Sequence, residues 1–216
     1  MKKILVLAFV TMVSTVTFAQ VSWNVKAGVN LSSFTGLKGE DKDGLESKTG
    51  YQIGLGMDYA ISEKFSVQPS LLFITKGAKY SYTDGGENDK TSINPMYIEF
   101  PVMAAYKFHL EENIKLALSA GPYLAYGIGG KWKYEYTSSG TTEKYEDDVF
   151  GSESDVENED ALTNKRVDFG MGIGAALEVN HFLVGLNASW GLVKLKEYEY
   201  SKAKNVCYSL TVGYKF

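Results

Sequence analysis

Acid–base or nucleophilic chemistry in this chain would have to start from histidine, and there are two, His109 and His181. A hydrolytic or acyl-transfer site holds an imidazole against a carboxylate and a hydroxyl nucleophile. Both histidines fall in short polar connections, His109 to Asn113 and Asn180-His181. In the strand pattern described below, these lie at one end of the molecule, away from the long connections where an outer-leaflet substrate would be met. The sequence therefore predicts no enzyme. Gly170, Gly172 and Ala175 fit G-x-G-x-x-G/A, but a dinucleotide site needs those residues between a strand and a helix. Here they alternate inside a strand, as small residues facing a crowded interior do.

Segment 137–164 carries Glu143, Glu146, Asp147, Asp148, Glu153, Asp155, Glu157, Glu159 and Asp160, opposed only by Lys144 before Lys165. Carboxylates of this kind are hard ligands for Ca²⁺ or Mg²⁺, yet no EF-hand spacing appears. The run reads as a solvated loop, with bridging of divalent ions to lipopolysaccharide as its looser role. No cofactor is expected. A second charged set, Lys26, Asp58, Glu99, Lys107, Arg166, Asp168 and Glu178, is interleaved with glycine, serine and alanine. Its position on the small-residue face of successive strands predicts a paired polar network inside a narrow lumen, because an unpaired buried charge is costly. The competing use of the same residues is a selective pore or ligand site.

Those charges sit on eight segments of strict alternation. They are Trp23–Phe34, Tyr51–Ile61, Phe65–Tyr80, Ile93–Phe108, a segment from Ile114, Arg166–Val179, Phe182–Leu192 and the terminal strand from Val206. The last places Val206, Tyr208, Leu210, Val212, Tyr214 and Phe216 at every second position. Each segment reaches the roughly 9–11 residues that a tilted strand needs to cross a bilayer. Short connections at 62–64, 109–113 and 180–181 alternate with long ones at about 35–50, 81–92, 137–164 and 196–205. That alternation predicts periplasmic turns and outer loops, with both termini in the periplasm. Pro69, Pro101 and Pro122 fall inside these strands; a closed sheet has no edge to hold them, so bulges or rim positions are expected.

Aromatic residues form two groups. Tyr59, Phe65, Tyr106, Phe108, Phe182, Tyr214 and Phe216 gather at the short-turn end, and Tyr51, Tyr126, Trp132, Tyr134, Trp190 and Tyr208 toward the loop end. Two such girdles mark two lipid interfaces. Trp132, Tyr134 and Tyr136 run past the bilayer as a β-rich protrusion able to touch a partner.

The amino-terminal stretch fits export to the same compartment. Lys2-Lys3 precede an apolar run from Ile4 to Phe18, and small residues at Thr17 and Ala19 predict cleavage between Ala19 and Gln20. The domain plan is a signal peptide at 1–19 and a barrel at 20–216. Removing residues 1–19 leaves 20 basic against 26 acidic side chains, a balance that disfavours nucleic acid or an anionic surface as partner for the protein as a whole. Cys207 is the sole cysteine, so no disulfide forms within the chain. Fifteen tyrosines, eleven phenylalanines and 22 glycines with only four prolines suit a membrane barrel. The fold expected is all-β: an eight-stranded antiparallel up-and-down transmembrane β-barrel.

Several stretches also resemble a known family. Phe65-Ser66-Val67-Gln68-Pro69-Ser70-Leu71-Leu72 followed by Lys76-Gly77, Tyr97-Ile98-Glu99-Phe100-Pro101-Val102, Gly121-Pro122-Tyr123-Leu124 and Asp168–Gly174 resemble segments of the PorT-like outer-membrane β-barrel family of Bacteroidetes. The resemblance spans most of the mature chain and implies an outer-membrane barrel, with the three prolines as a family habit.

The expected role is a non-enzymatic structural or interaction barrel in the bacterial outer membrane, reached through the periplasm. Its partners would be outer-membrane lipid and lipopolysaccharide, the barrel-assembly machinery acting on Tyr214 and Phe216, and an unidentified envelope protein. The alternatives are a small pore or accessory subunit of a transport or secretion system, and a soluble lipocalin-like ligand binder in which the two faces are inverted.

Overall fold

A computed structural model describes residues 20–36, 44–84, 87–138, 141–150, 165–194 and 203–216, apart from the side chains of Asp84 and Glu87. The predicted signal peptide and its Ala19/Gln20 cleavage point, except Gln20 itself, lie outside these residues. So do Glu153, Asp155, Glu157, Glu159 and Asp160 of the acidic run.

The described chain is one antiparallel sheet of ten strands: β1 (Val21–Thr35), β2 (Leu45–Ala60), β3 (Phe65–Thr75), β4 (Ala78–Asp84), β5 (Glu87–Glu111), β6 (Ile114–Ser138), β7 (Thr141–Asp148), β8 (Val167–Val179), β9 (Phe182–Gly191) and β10 (Lys204–Lys215). Pairing runs from β1 through β2, β3, β5, β6, β8, β9 and β10, and returns to β1 through twelve rungs from Asn24↔Lys215 to Thr35↔Lys204. The architecture is thus an up-and-down barrel wall, whose closure leaves no open edge in the ring. The ring is not evenly round, because β4 is wedged between the outer parts of β2 and β5.

The wall is built inside out relative to a water-soluble domain. Val29, Leu31, Ile53, Leu55, Leu71, Phe100, Leu118, Leu124, Ile173, Val184, Leu186, Leu210 and Val212 are all exposed, and about half of the buried side chains are polar or charged. This follows from the alternation, since every apolar set sits on the outer face of its strand. No helix among the described residues is long and apolar enough to cross a membrane. The short-turn girdle is visible as ring contacts: Phe65–Tyr106 at 4.8 Å, Tyr106–Phe108 at 4.7 Å, Phe182–Tyr214 at 5.5 Å and Tyr214–Phe216 at 5.3 Å. The turn Asn180-His181 is a two-residue hairpin closed by Val179↔Phe182, with Asn180 at φ 54°, the left-handed conformation that such turns need.

Four expectations are corrected. Connection 81–92 is not a long loop but a hairpin of β4 and β5, and 137–164 contains strand β7. β2 starts at Leu45, well before Tyr51, because its outer end gains β4 as a partner. The prolines occupy neither bulges nor the rim. Pro69 faces Val102, Pro101 faces Tyr123 and Pro122 faces Met171, in mid-wall. Pairing lapses instead between Gly56↔Ser70 and Tyr59↔Val67, between Pro69↔Val102 and Leu72↔Glu99, and between Pro101↔Tyr123 and Ala104↔Ala120, with the register unchanged across each gap. The sheet omits ladder rungs that proline cannot supply and keeps its inside–outside parity.

Finally, Trp132 and Tyr134 do not join the lipid-facing girdle. A register shift at Met96/Tyr97 places an extra residue on β6, which flips the parity above it, and Trp132 packs against the buried cluster at the barrel mouth. Gly77 (φ 137°) and Gly130 (φ 139°) flank the same point of β5. A Cβ on Gly77 would come within 2.0 Å of the Ile93 carbonyl oxygen, and one on Gly130 within 2.3 Å of that of Asn94. Glycine on both sides, in a conformation that side chains resist, lets the sheet turn a corner there. Beyond this corner β4, β7 and the outer parts of β5 and β6 form a four-stranded extension.

Candidate functional site

Two places hold the polar chemistry of this molecule: the lumen and the extension. At the outer end of the lumen, Lys76 is 1% exposed and Asp168 0%. The Lys76 ammonium lies 2.7 Å from Glu99 and 3.5 Å from Asp168, over the rings of Tyr123 (4.4 Å) and Tyr97 (5.5 Å). Asp168 also accepts hydrogen bonds from the Tyr123 hydroxyl at 3.1 Å and the Asn205 amide at 2.9 Å. Lys76, just past the end of β3, thus meets residues from β5, β6, β8 and β10 across the bore.

Directly above, the chain leaving β7 folds back into the mouth. Val149 and Phe150 are buried, and Phe150 meets Tyr97 edge-on at 5.8 Å. Gly127 makes the space, since a Cβ there would sit 2.2 Å from the Phe150 ring. Arg166 stacks on that ring at 5.3 Å and donates to the Phe150 and Gly127 carbonyl oxygens. Arg166 therefore fastens the plug and makes no ion pair with the carboxylates it was grouped with.

Deeper, Lys26 donates to Ser70 at 2.9 Å, beside a cavity of about 150 Å³ lined in part by Gln52, Glu99, Ser119, Tyr123 and Asn187. Toward the short-turn end, Asp58 pairs with Lys107 at 2.6 Å and accepts from Gln68 at 3.2 Å, and Glu178 pairs with Lys215. The seven charged residues singled out from sequence thus occupy three levels of the interior. Lys76, Lys215, Tyr97, Tyr123, Asn205 and Phe150 were missed. Parity would have found Lys76, which continues the inward even positions Ser66, Gln68 and Ser70, but Leu72 and Ile74 interrupt the polar pattern just before it. Nothing local marks Phe150, because its burial depends on β7 folding back.

The extension segregates its side chains by face. Tyr80, Thr91, Tyr134 and Tyr145 are successive partners on one face, with Trp132 stacked parallel to Tyr134 at 6.0 Å. The other face carries Lys131, Lys133 and Lys144 against Glu135, Glu146 and Asp148. Ion pairs there span 2.8 Å for Lys133–Glu146, 2.8 Å for Lys144–Glu135 and 3.0 Å for Lys131–Asp148. The acidic run is thus opposed by more than Lys144, because the β6–β7 ladder brings up Lys131 and Lys133. A hydrogen bond from Lys133 and its charge hold the Glu146 carboxyl below its ordinary range, and Lys144 does the same for Glu135. Among the described residues, no group of three or more His, Cys, Asp or Glu could hold a metal ion.

His109 and His181 remain at the short-turn end. His181 stacks on Tyr214 at 5.6 Å, with its Nδ1 2.9 Å from the Lys215 carbonyl oxygen. Neither histidine approaches the extension.

A closed antiparallel wall, apolar outside and charge-paired inside, defines the class: a β-barrel of the outer membrane. The chain belongs to the family described as outer membrane protein beta-barrel domain, whose model matches residues 18–197. No curated protein sequence matches it. Among solved structures it is similar to Ail, the attachment invasion locus protein of Yersinia pestis, at 15% identity and TM-score 0.39, covering 91% of this chain and 99% of that one. It is similar to Neisserial surface protein A at 12% and 0.43, covering 91% and 99%. It is also similar to the outer membrane enzyme PagL at 16% and 0.47, covering 88% and 98%.

Proposed function

We propose that this protein is a non-enzymatic interaction barrel that works through its outer extension, which contacts lipopolysaccharide or another envelope component. The carrying observation is the contrast between a lumen filled by buried ion pairs under Phe150 and two strands, β5 and β6, of 25 residues each. Crossing a bilayer takes roughly 9–11 residues, and about a third of each strand, residues 87–94 of β5 and 131–138 of β6, lies beyond the corner at Gly130. The absence of histidine near the extension supports a role without acid–base catalysis. The QPSLL, YIEFPV and GPYL stretches support a place among the PorT-like barrels of Bacteroidetes. Export would follow removal of residues 1–19, with the assembly machinery reading the terminal strand through Tyr214 and Phe216.

The test is reconstitution of the mature chain in planar bilayers alongside a binding assay with purified lipopolysaccharide. No conductance steps together with retained lipopolysaccharide are expected. Steady single-channel steps, abolished by blocking the lumen, would replace this reading with a pore or transport subunit.

A further inference from the structure

Lys79 on β4, Ser92 on β5 and Lys133 on β6 are successive partners across the extension. The Lys48 ammonium donates to the Ser92 hydroxyl at 2.6 Å. Lys79 and Lys133 thus flank Ser92 in the ladder while the Lys48 ammonium holds its hydroxyl, although like charges on neighbouring strand positions repel. Lys133 alone of the three has an ion-pair partner among the described residues, Glu146. Glu46 stands opposite Lys79 in the ladder, but no ion pair joins them. Partial burial, followed by the charges of Lys79 and Lys133, holds the Lys48 ammonium below its ordinary pKa. Across this whole face Lys48, Lys79, Lys90, Lys131, Lys133 and Lys144 outnumber Glu46, Glu135, Glu146 and Asp148.

The cluster belongs to the outside of the wall. On β5 the lipid-facing residues Ile98, Phe100 and Phe108 hold even positions. Ser92 keeps that parity, since the extra residue at the register shift lies on β6. Lys79 and Lys133, as ladder partners of Ser92, share its face; Lys48 starts from the position opposite the buried Ser32 on β2 and joins that face only through its ammonium, at the Ser92 hydroxyl. Lys79, Ser92 and Lys133 therefore continue the lipid-facing parity of β5 beyond its apolar belt, on the side where headgroups lie.

We propose that Lys48, Lys79 and Lys133, arranged around Ser92, bind the phosphate groups of the surrounding outer-leaflet glycolipid. This rests on the envelope-contact reading above and names its ligand chemistry and residues. Three ammonium groups, less the Glu146 carboxylate paired with Lys133, leave a net charge of about +2, which matches a phosphate monoester of about −2. The Ser92 hydroxyl, which accepts from Lys48, has its own hydrogen left to donate to a phosphate oxygen.

The experiment uses the full mature chain refolded in neutral-lipid vesicles. It is titrated with phosphorylated lipopolysaccharide, with the same glycolipid after phosphatase treatment, and with inorganic phosphate. The wild-type chain should hold the phosphorylated form roughly tenfold more tightly, with the preference shrinking as salt rises. The variant combining Lys48→Gln, Lys79→Gln and Lys133→Gln should lose the preference yet keep the heat-modifiable gel mobility of a closed barrel. Lys79→Gln alone should show a partial loss, which tests the idea even where the triple variant fails to close. An undiminished preference in these variants overturns the assignment, as does displacement of the glycolipid by inorganic phosphate at matched concentration. Equal binding of both glycolipids by wild type and variant sinks the cluster but leaves the envelope-contact reading standing. Binding of neither glycolipid sinks both.

Discussion

The lumen and the extension use the same pair of chemical groups, lysine and carboxylate, under opposite conditions. In the lumen, Lys76 from the link after β3, Glu99 of β5 and Asp168 of β8 are almost entirely buried, and are enclosed by Tyr97, Tyr123 and Asn205. In the extension, Lys131, Lys133 and Lys144 meet carboxylates across one hairpin, with roughly half of each side chain or more in solvent. Burial decides what each pairing does. Removing one partner of a buried pair strands a desolvated charge, whereas an exposed pair trades protein contacts for water at little cost. The lumen network thus sets which side chains close the bore, and the extension network leaves charge available to a partner.

The sharpest way to break this comparison is to replace one lysine in each region. Lys76→Met should destabilise the barrel by about 3–5 kcal/mol in urea unfolding from vesicles. Adding Glu99→Gln and Asp168→Asn should recover much of that loss. A mild effect of Lys76→Met would mean that the buried network is not what holds the outer mouth. Next in size, Ile173→Arg sets a charge on the lipid side of mid-β8 and should cost about 2–4 kcal/mol. A silent Ile173→Arg would invert the two faces of the wall.

Gly127→Ala sharpens the lumen side. Its Cβ collides with the Phe150 ring, so the plug must move, at a cost of about 1–3 kcal/mol. Protease cleavage next to Val149 and Phe150 should then rise while the barrel still shifts on a gel. Unchanged cleavage would show that Phe150 does not depend on this glycine. Gly172 is a useful contrast. Its nearest neighbour would be 3.4 Å from a Cβ, so the crowding that alternating glycines suggest is absent there, and Gly172→Ala should be tolerated.

The smallest effects belong to the extension. Lys144→Gln should leave unfolding unchanged within error. Acid should loosen this hairpin before the barrel. The Glu135 and Glu146 carboxyls are held below their ordinary range, so their ion pairs stabilise the fold above the unfolded carboxylate pKa. That contribution is lost as pH falls through the lower folded values. Protection factors of β7 amides, corrected for the intrinsic rate at each pH, should fall below about pH 4 while those of β8 and β9 hold. An equal fall in both regions would erase the distinction drawn here.

Alternation alone made the barrel wall legible. Trp23 to Leu31, Val167 to Val179 and the terminal strand each keep period two without a break, and a wall solvated by lipid on one side demands that period along its length. The lumen charges were legible by the same parity, because a small-residue face marks the inside. Lys76 escaped because the apolar Leu72 and Ile74 share its face, filling space under Tyr97 and Tyr123 where polarity is no guide.

The sequence by itself determined the all-β class, the two faces of each strand and the end of the molecule that carries the short turns. These are local properties, repeated every second residue. Tertiary structure alone decided which charges pair, that Phe150 seals the mouth, that the prolines sit in mid-wall, and that Lys79 and Lys133 flank Ser92 while Lys48 holds its hydroxyl. Each of these depends on register between strands far apart in the chain, and on one extra residue in β6 that reverses every face above it. Periodicity within a strand carries no information about that register.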